Sequence, residues 1–177
     1  MPYPRRVEPA AITAVDAMDR DAFTIALTSV VEHSPWVAQR AWELRPFGSR
    51  DRLQLAFETA IRTAPRERRL DVLRAHPELA GRAAGDGELT ESSASEQRAG
   101  KLDRLSADER AALGQLNLDY RGRFGFPFIS CVREHSVASL LAWGAVRLKR
   151  DLEDEEATAL AEVGKIIGLR LRERVSA

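Results

Sequence analysis

A chain of 177 residues with 44% apolar side chains is long enough to bury one hydrophobic core, and it is expected to form a single domain over residues 1–177. Its 27 basic and 27 acidic side chains cancel, which excludes a global field drawing the protein to nucleic acid or to an anionic membrane. A lone cysteine, Cys131, excludes an intrachain disulfide, and no stretch resembles a membrane span or a secretory leader, so a soluble cytoplasmic protein is expected.

Along the chain, three prolines in the first fifteen residues predict an extended lead. The apolar spacing then turns helical, with Phe23, Ala26, Leu27, Val30 and Val31 on one face. A second helix opens at "SPWVAQRAWEL", with Ser34 as N-cap and Pro35 at the first helical position, where its missing N–H costs nothing. Leu53, Ala56, Phe57, Ala60 and Ile61 mark a third helix from near Ser49, and a short fourth runs from Pro65 to about Ala75. The glycines of "AGRAAGDGEL" predict a loop.

Helical patterning resumes from about Ser92 to Leu102. The capping box of Ser106 and Glu109 opens a helix that carries Leu113, Leu116, Tyr120 and Phe124 inward and breaks at "FGFPFI". Two more follow: Val137 to about Lys149, with Leu140, Leu141, Gly144 and Leu148 inward, and Asp154 to Arg174. No strand pairing is expected. The fold class is all-α, a bundle of about eight helices.

Four features could carry chemistry, and each has a plain structural alternative. Pro77 disfavours helical backbone at His76, so His76 should end the fourth helix, where the negative end of the dipole favours an imidazolium suited to proton donation. A histidine there could equally just cap carbonyls. In "ESSASEQ", Ser93, Glu96 and Gln97 share a helix face, which suits a substrate; Ser93 and Glu96 also fit a capping box. In "RFGFPFISCVR", residues 128–132 must satisfy their backbone groups outside a helix, through a planar polar ligand or through neighbouring helices. Arg170 lies on or beside the apolar stripe of the last helix and must meet an anion or a structural carboxylate, while Arg172 points elsewhere. The three histidines are scattered and one cysteine cannot build a thiolate site, so no metal centre is expected; spacing alone gives little support for a Cys131 nucleophile paired with His135.

Taken together, "VEHSPWVAQRAWELRPF", "LRAHPELAGR", "ELTESSASEQRAGKLDRLS", "LNLDYRGRFGFPFISCVR" and "EVGKIIGLRL" resemble, in order and spacing, the 2-oxo-4-hydroxy-4-carboxy-5-ureidoimidazoline (OHCU) decarboxylases of urate degradation, from about residue 20 to residue 172. The resemblance implies a compact all-α fold and a homodimer. It implies that OHCU is decarboxylated to S-allantoin without a cofactor. Of the residues, it makes His76 and Glu96 catalytic and places Pro77, Ser93, Gln97, Arg170 and the backbone of Phe128, Ile129, Ser130, Cys131 and Val132 against the substrate. Two other readings compete: a non-catalytic helical binding module of the same fold, which would be expected to lack His76 or Glu96, and another cyclic-ureide enzyme such as a ring hydrolase, against which the missing metal constellation counts.

Overall fold

The computed structural model describes residues 9–80, 91–100 and 102–176. Among them run nine α-helices: α1 (Ile12–Asp16), α2 (Arg20–Leu27), α3 (Pro35–Trp42), α4 (Arg50–Arg62), α5 (Arg66–Ala75), α6 (Glu91–Ala99), α7 (Ala107–Phe124), α8 (Val137–Arg147) and α9 (Leu152–Arg174). The fold is all-α apart from one pair of two-residue strands, β1 (Ala10–Ala11) and β2 (Val175–Ser176), which run parallel. The predicted loop at "AGRAAGDGEL" lies almost wholly outside the described residues.

The helices begin where short-range chemistry starts them. Asp19 accepts the amide of Ala22, Ser49 that of Arg52, and Ser136 that of Ser139; Ser106 and Glu109 close a reciprocal capping box. Ser34 does occupy the N-cap position before Pro35, but its hydroxyl accepts no backbone amide. α7 stops at Gly125, whose φ of 79° places it in the left-handed region that glycine enters without a steric penalty.

The described residues fall into two compact units. The first comprises the chain through Ala64 together with residues from Ile166 onward, and the second runs from Pro65 to Lys165. In the first unit Phe23 stacks on Phe47 and Phe57, and the Asp16 carboxylate accepts the amides of Phe47 and Gly48 at 2.7 and 2.9 Å. Residues 10–16 are thus not a wholly extended lead: Ala10 and Ala11 pair with Val175 and Ser176, and α1 follows directly. Ala26, expected inward, is exposed because it lies on the flank of a stripe centred on Phe23 and Leu27, while a 3-10 turn at Thr28–Val30 follows with Val30 and Val31 buried.

The second unit buries Leu113, Leu116, Tyr120, Phe124, Phe126, Phe128 and Ile129. α8 approaches α7 closely at Gly144, where an added Cβ would lie 2.4 Å from Leu116 Cδ2. The inward face of α8 is Leu140, Gly144 and Arg147; Leu141 and Leu148, expected inward, are only half-buried. The face turned because Arg147 finds a buried acidic partner, which apolar spacing does not reveal.

Glycine substitutions should separate packing from backbone entropy. Gly144→Ala is expected to destabilise by about 1–3 kcal/mol through overpacking. Gly122→Ala in α7, with nothing within 4 Å of its Cβ position, should stabilise by about 0.5–1 kcal/mol. Urea denaturation of the two variants measures both.

Candidate active site

In the second unit α5 ends at Ala75, and His76 takes the C-cap position with extended backbone (φ −68°, ψ 133°), as its proline neighbour requires. Its amide donates to the Leu73 carbonyl at 3.2 Å. The turn that follows is held from two other helices. Gln97 on α6 donates through Nε2 to the Glu78 carbonyl and accepts the Ala80 amide at Oε1, both at 3.1 Å. Asn117 on α7 donates to the Leu79 carbonyl at 3.1 Å, and Arg121 pairs with the Glu78 carboxylate. Ala80 has φ of 53°, a left-handed conformation that costs a non-glycine residue about 1–2 kcal/mol and persists because these contacts over-determine it.

Ser93, Glu96 and Gln97 lie on the buried face of α6, with Arg98 exposed. Residues 91–99 are helical, so Ser93 stands inside the helix rather than at its N-cap. At the far end of α6, a Cβ on Gly100 would lie 2.9 Å from Val132 Cβ, so the helix end abuts the segment 128–132.

That segment is irregular backbone leading into a 3-10 turn at Val132–Glu134, and all five of its residues are buried. Two charged side chains hold its main chain. Arg147 donates through Nη1 to the Ile129 carbonyl at 2.8 Å while its other nitrogens engage Glu155 in a fully buried ion pair, closest at 2.6 Å. Glu162 accepts the Cys131 amide at 2.7 Å and, more weakly, the Ser130 hydroxyl at 3.4 Å. Lys165 Nζ bridges Glu162 and Glu134 at 2.9 and 2.8 Å. Burial raises the Glu162 pKa, but the Cys131 amide and the Lys165 ammonium outweigh it and hold the carboxyl below its ordinary range.

Glu134, His135 and Glu162 offer ligand atoms within 4.8 Å of one another. Lys165 already sits on both carboxylates, so a cation occupies the position a metal would take. Cys131 is buried, and desolvation, reinforced by the Glu134 and Glu162 charges, pushes its thiol up to about 11. It is a protonated, inert group near neutral pH, which removes the nucleophile reading.

Arg170 belongs to the first unit. It is buried, pairs with the equally buried Glu32 at 3.4 Å, and donates to the carbonyls of Ser29 and Val30 at 3.3 Å each. Arg172 is exposed. The structural carboxylate foreseen as the alternative for Arg170 is therefore Glu32.

Three residues of the second-unit arrangement carry no signal of their own in a sequence reading: Asn117, Arg147 and Glu162. Each lies at an inward register of its helix, and a polar residue at such a register is the one clue that could have found them.

The assembled features are a pre-proline histidine on a pinned turn, a buried hydroxyl–carboxylate–amide helix face and an irregular buried main chain, all in an all-α fold. A family model described as OHCU decarboxylase matches residues 16–172. The chain is 42% identical over 162 residues to the 2-oxo-4-hydroxy-4-carboxy-5-ureidoimidazoline decarboxylase of Haloferax volcanii, covering 92% of this chain and 94% of that one. It is 40% identical to the protein of the same name from Mus musculus, covering 92% of each. Among solved structures, the fold matches (S)-allantoin synthase (TM-score 0.75, 24% identity, 95% of this chain and 54% of that chain). It also matches an OHCU decarboxylase crystallised in the presence of (S)-allantoin (TM-score 0.67, 18% identity, 88% of this chain and 97% of that chain). The chain belongs to the OHCU decarboxylase family.

A pH titration follows from Cys131. Because the folded state raises this pKa from 9.0 to about 11, the stability it contributes is fully present below pH 9 and is lost between pH 9 and 11 as the unfolded thiol ionises. Cys131→Ala should flatten that part of the stability–pH curve in urea titrations.

Proposed function

We propose that the protein decarboxylates OHCU to S-allantoin in urate degradation, with no cofactor. The observation that carries this reading is the direct linkage of the three expected site segments within the second unit. Gln97 ties α6 to the turn after His76–Pro77, and Gly100 at the end of the same helix meets Val132. Family membership supplies the substrate class.

The substrate contains its own electron sink. Its carboxylate sits on a hydroxyl-bearing carbon next to a ring C=N. As the carbon–carboxylate bond breaks and CO2 leaves, the pair forms a C=C bond, and the π electrons of the C=N move onto the ring nitrogen, which takes up a proton. The resulting enol loses its hydroxyl proton, and the ureido-bearing carbon gains one on a single face. The enzyme therefore has to orient the ring, accept and supply protons, and fix the face of protonation. His76 is assigned as the donor and Glu96 as its partner in handling the protons, while Pro77, Ser93, Gln97 and the backbone of 128–132 orient the ring and ureido groups. The N–H groups of Ile129 and Ser130 and the carbonyl of Ser130 support the last assignment, since they are buried and have no hydrogen-bond partner among the described residues. For Arg170 only its charge supports attraction of the substrate anion; its observed contacts serve the first unit.

A non-catalytic module of the same fold would have no use for both His76 and Glu96, and both are present. No described helix is long and apolar enough to cross a membrane, and a single thiol suits a reducing compartment, so we place the enzyme in the cytoplasm. We also propose a homodimer, supported by large apolar side chains left exposed on the early helices, Ile25 at 78% and Leu55 at 57%.

The absorbance and circular-dichroism decay of enzymatically generated OHCU tests the activity. The wild type should accelerate the decay and yield one allantoin enantiomer. His76→Ala and Glu96→Gln should each lower kcat by about 100-fold or more while leaving the helical signal intact. Near-wild-type rates in either variant would remove that residue from the mechanism. Sedimentation equilibrium checks the dimer: Ile25→Glu or Leu55→Glu should shift the mass to that of a monomer, and a wild type that is itself monomeric defeats the proposal.

A further inference from the structure

Arg147 and Glu162 grip two successive peptide units on either side of Ser130. Among the described residues only the Arg45–Pro46 peptide is cis, so the units joining Ile129 to Ser130 and Ser130 to Cys131 are trans, and in a trans unit C=O and N–H point in opposite directions. Arg147 takes the Ile129 carbonyl, so the Ser130 N–H of the same unit points away from Arg147. Glu162 takes the Cys131 amide, so the Ser130 C=O of that unit points away from Glu162. The two grips leave Ser130 presenting one donor and one acceptor, both buried and neither satisfied by another described residue. Adjacent N–H and C=O groups are also what the edge of a cyclic ureide offers.

We propose that Glu162 is a positioning residue for this reaction. By holding the Cys131 amide, with Arg147 holding the Ile129 carbonyl, it fixes the Ser130 main-chain donor and acceptor in the pairing pattern of the substrate's ureide edge. This rests on the decarboxylase reading above. Lys165 completes the device. It balances the Glu162 charge and, through Glu134, ties down the 3-10 turn into which the segment leads. Arg147 is less open to mutation, because removing it would strand Glu155 as a fully buried charge.

The test compares Glu162→Ala with Glu162→Gln, which keeps an oxygen able to accept the Cys131 amide. Steady-state decay of OHCU is measured alongside thermal unfolding. Glu162→Ala is expected to lose about 10- to 100-fold in kcat/KM, the scale of a small misplacement of reacting groups, with kcat falling more than KM rises. Glu162→Gln should recover most of that loss. A purely structural Glu162 would instead lower the melting temperature and leave kcat/KM unchanged well below it, and that result overturns the proposal. Equal losses in the two variants overturn it too, because the amide acceptor would then not be what matters. Should Glu162→Ala not fold, Glu162→Asp carries the test: it keeps the charge but withdraws it by one methylene, and an unchanged kcat counts against the idea. A wild type that does not turn over OHCU defeats the decarboxylase reading itself, whereas an active wild type with an unaffected Glu162→Ala defeats only this inference.

Discussion

The constraint on which the second unit depends is a main chain that leaves its helix without leaving the core. After Gly125 turns α7 off, the chain runs from Phe126 to Ser130 buried and irregular, and internal pairing returns only where the Cys131 and Val132 carbonyls enter the 3-10 turn. Buried peptide groups left unpaired cost roughly 1–3 kcal/mol each, so a segment of this kind persists only where the rest of the fold supplies partners. Here two of those partners are ionised. An arginine and a glutamate carry their own desolvation cost, and each is answered in turn, Arg147 by Glu155 and Glu162 by Lys165. The aromatic packing follows the same scaffold: Phe128 sits against Tyr120 at 5.0 Å between ring centroids, with the Arg147 guanidinium 5.0 Å from its ring.

The turn after His76 obeys a related rule. Proline stops α5 at its neighbour, but it does not decide where the chain goes next. That direction comes from Gln97, Asn117 and Arg121, which hold three consecutive residues, the last of them in a left-handed conformation that alanine does not choose unaided. Gln97 was expected to contact substrate, and its observed bonds go to the backbone of the turn after His76. The two roles are compatible, since an amide has a second hydrogen and a second lone pair.

What could be read from the sequence was whatever is encoded within a few residues: the helix start near Ser49, the capping box at Ser106, the stop at His76, the break after α7, and most of the apolar faces. The motif resemblance added the identity of the site segments. What could not be read was the choice of distant partner. Apolar spacing marked Leu140, Leu141, Gly144 and Leu148 on this helix and left Arg147 unremarked, because its partners Glu155 and the Ile129 carbonyl carry no local signal. Arg170 could be placed on the inward side, but nothing local pointed to Glu32, and the strand pairing joins residues 165 positions apart. Ser93 had two local readings, a cap and a member of one face with Glu96 and Gln97; its position inside α6, with all three residues buried, favours the second.

These points bear on why such a site would need so many charges that touch no reacting atom. If the substrate itself receives the electrons of the broken bond, the protein gains nothing from a strong Lewis acid or a covalent partner, and its contribution is orientation together with timely proton transfer. Orientation by backbone groups has one advantage over orientation by side chains: a peptide N–H has no rotamers of its own, so once its plane is fixed its direction is fixed. The difficulty is that nothing in an irregular segment fixes the plane. Side chains anchored on regular helices can do so from behind, and α8 and α9 carry Arg147 and Glu162 to that position. On this view the buried ion pairs are the means by which rigid helices impose their order on a stretch of buried main chain that cannot order itself.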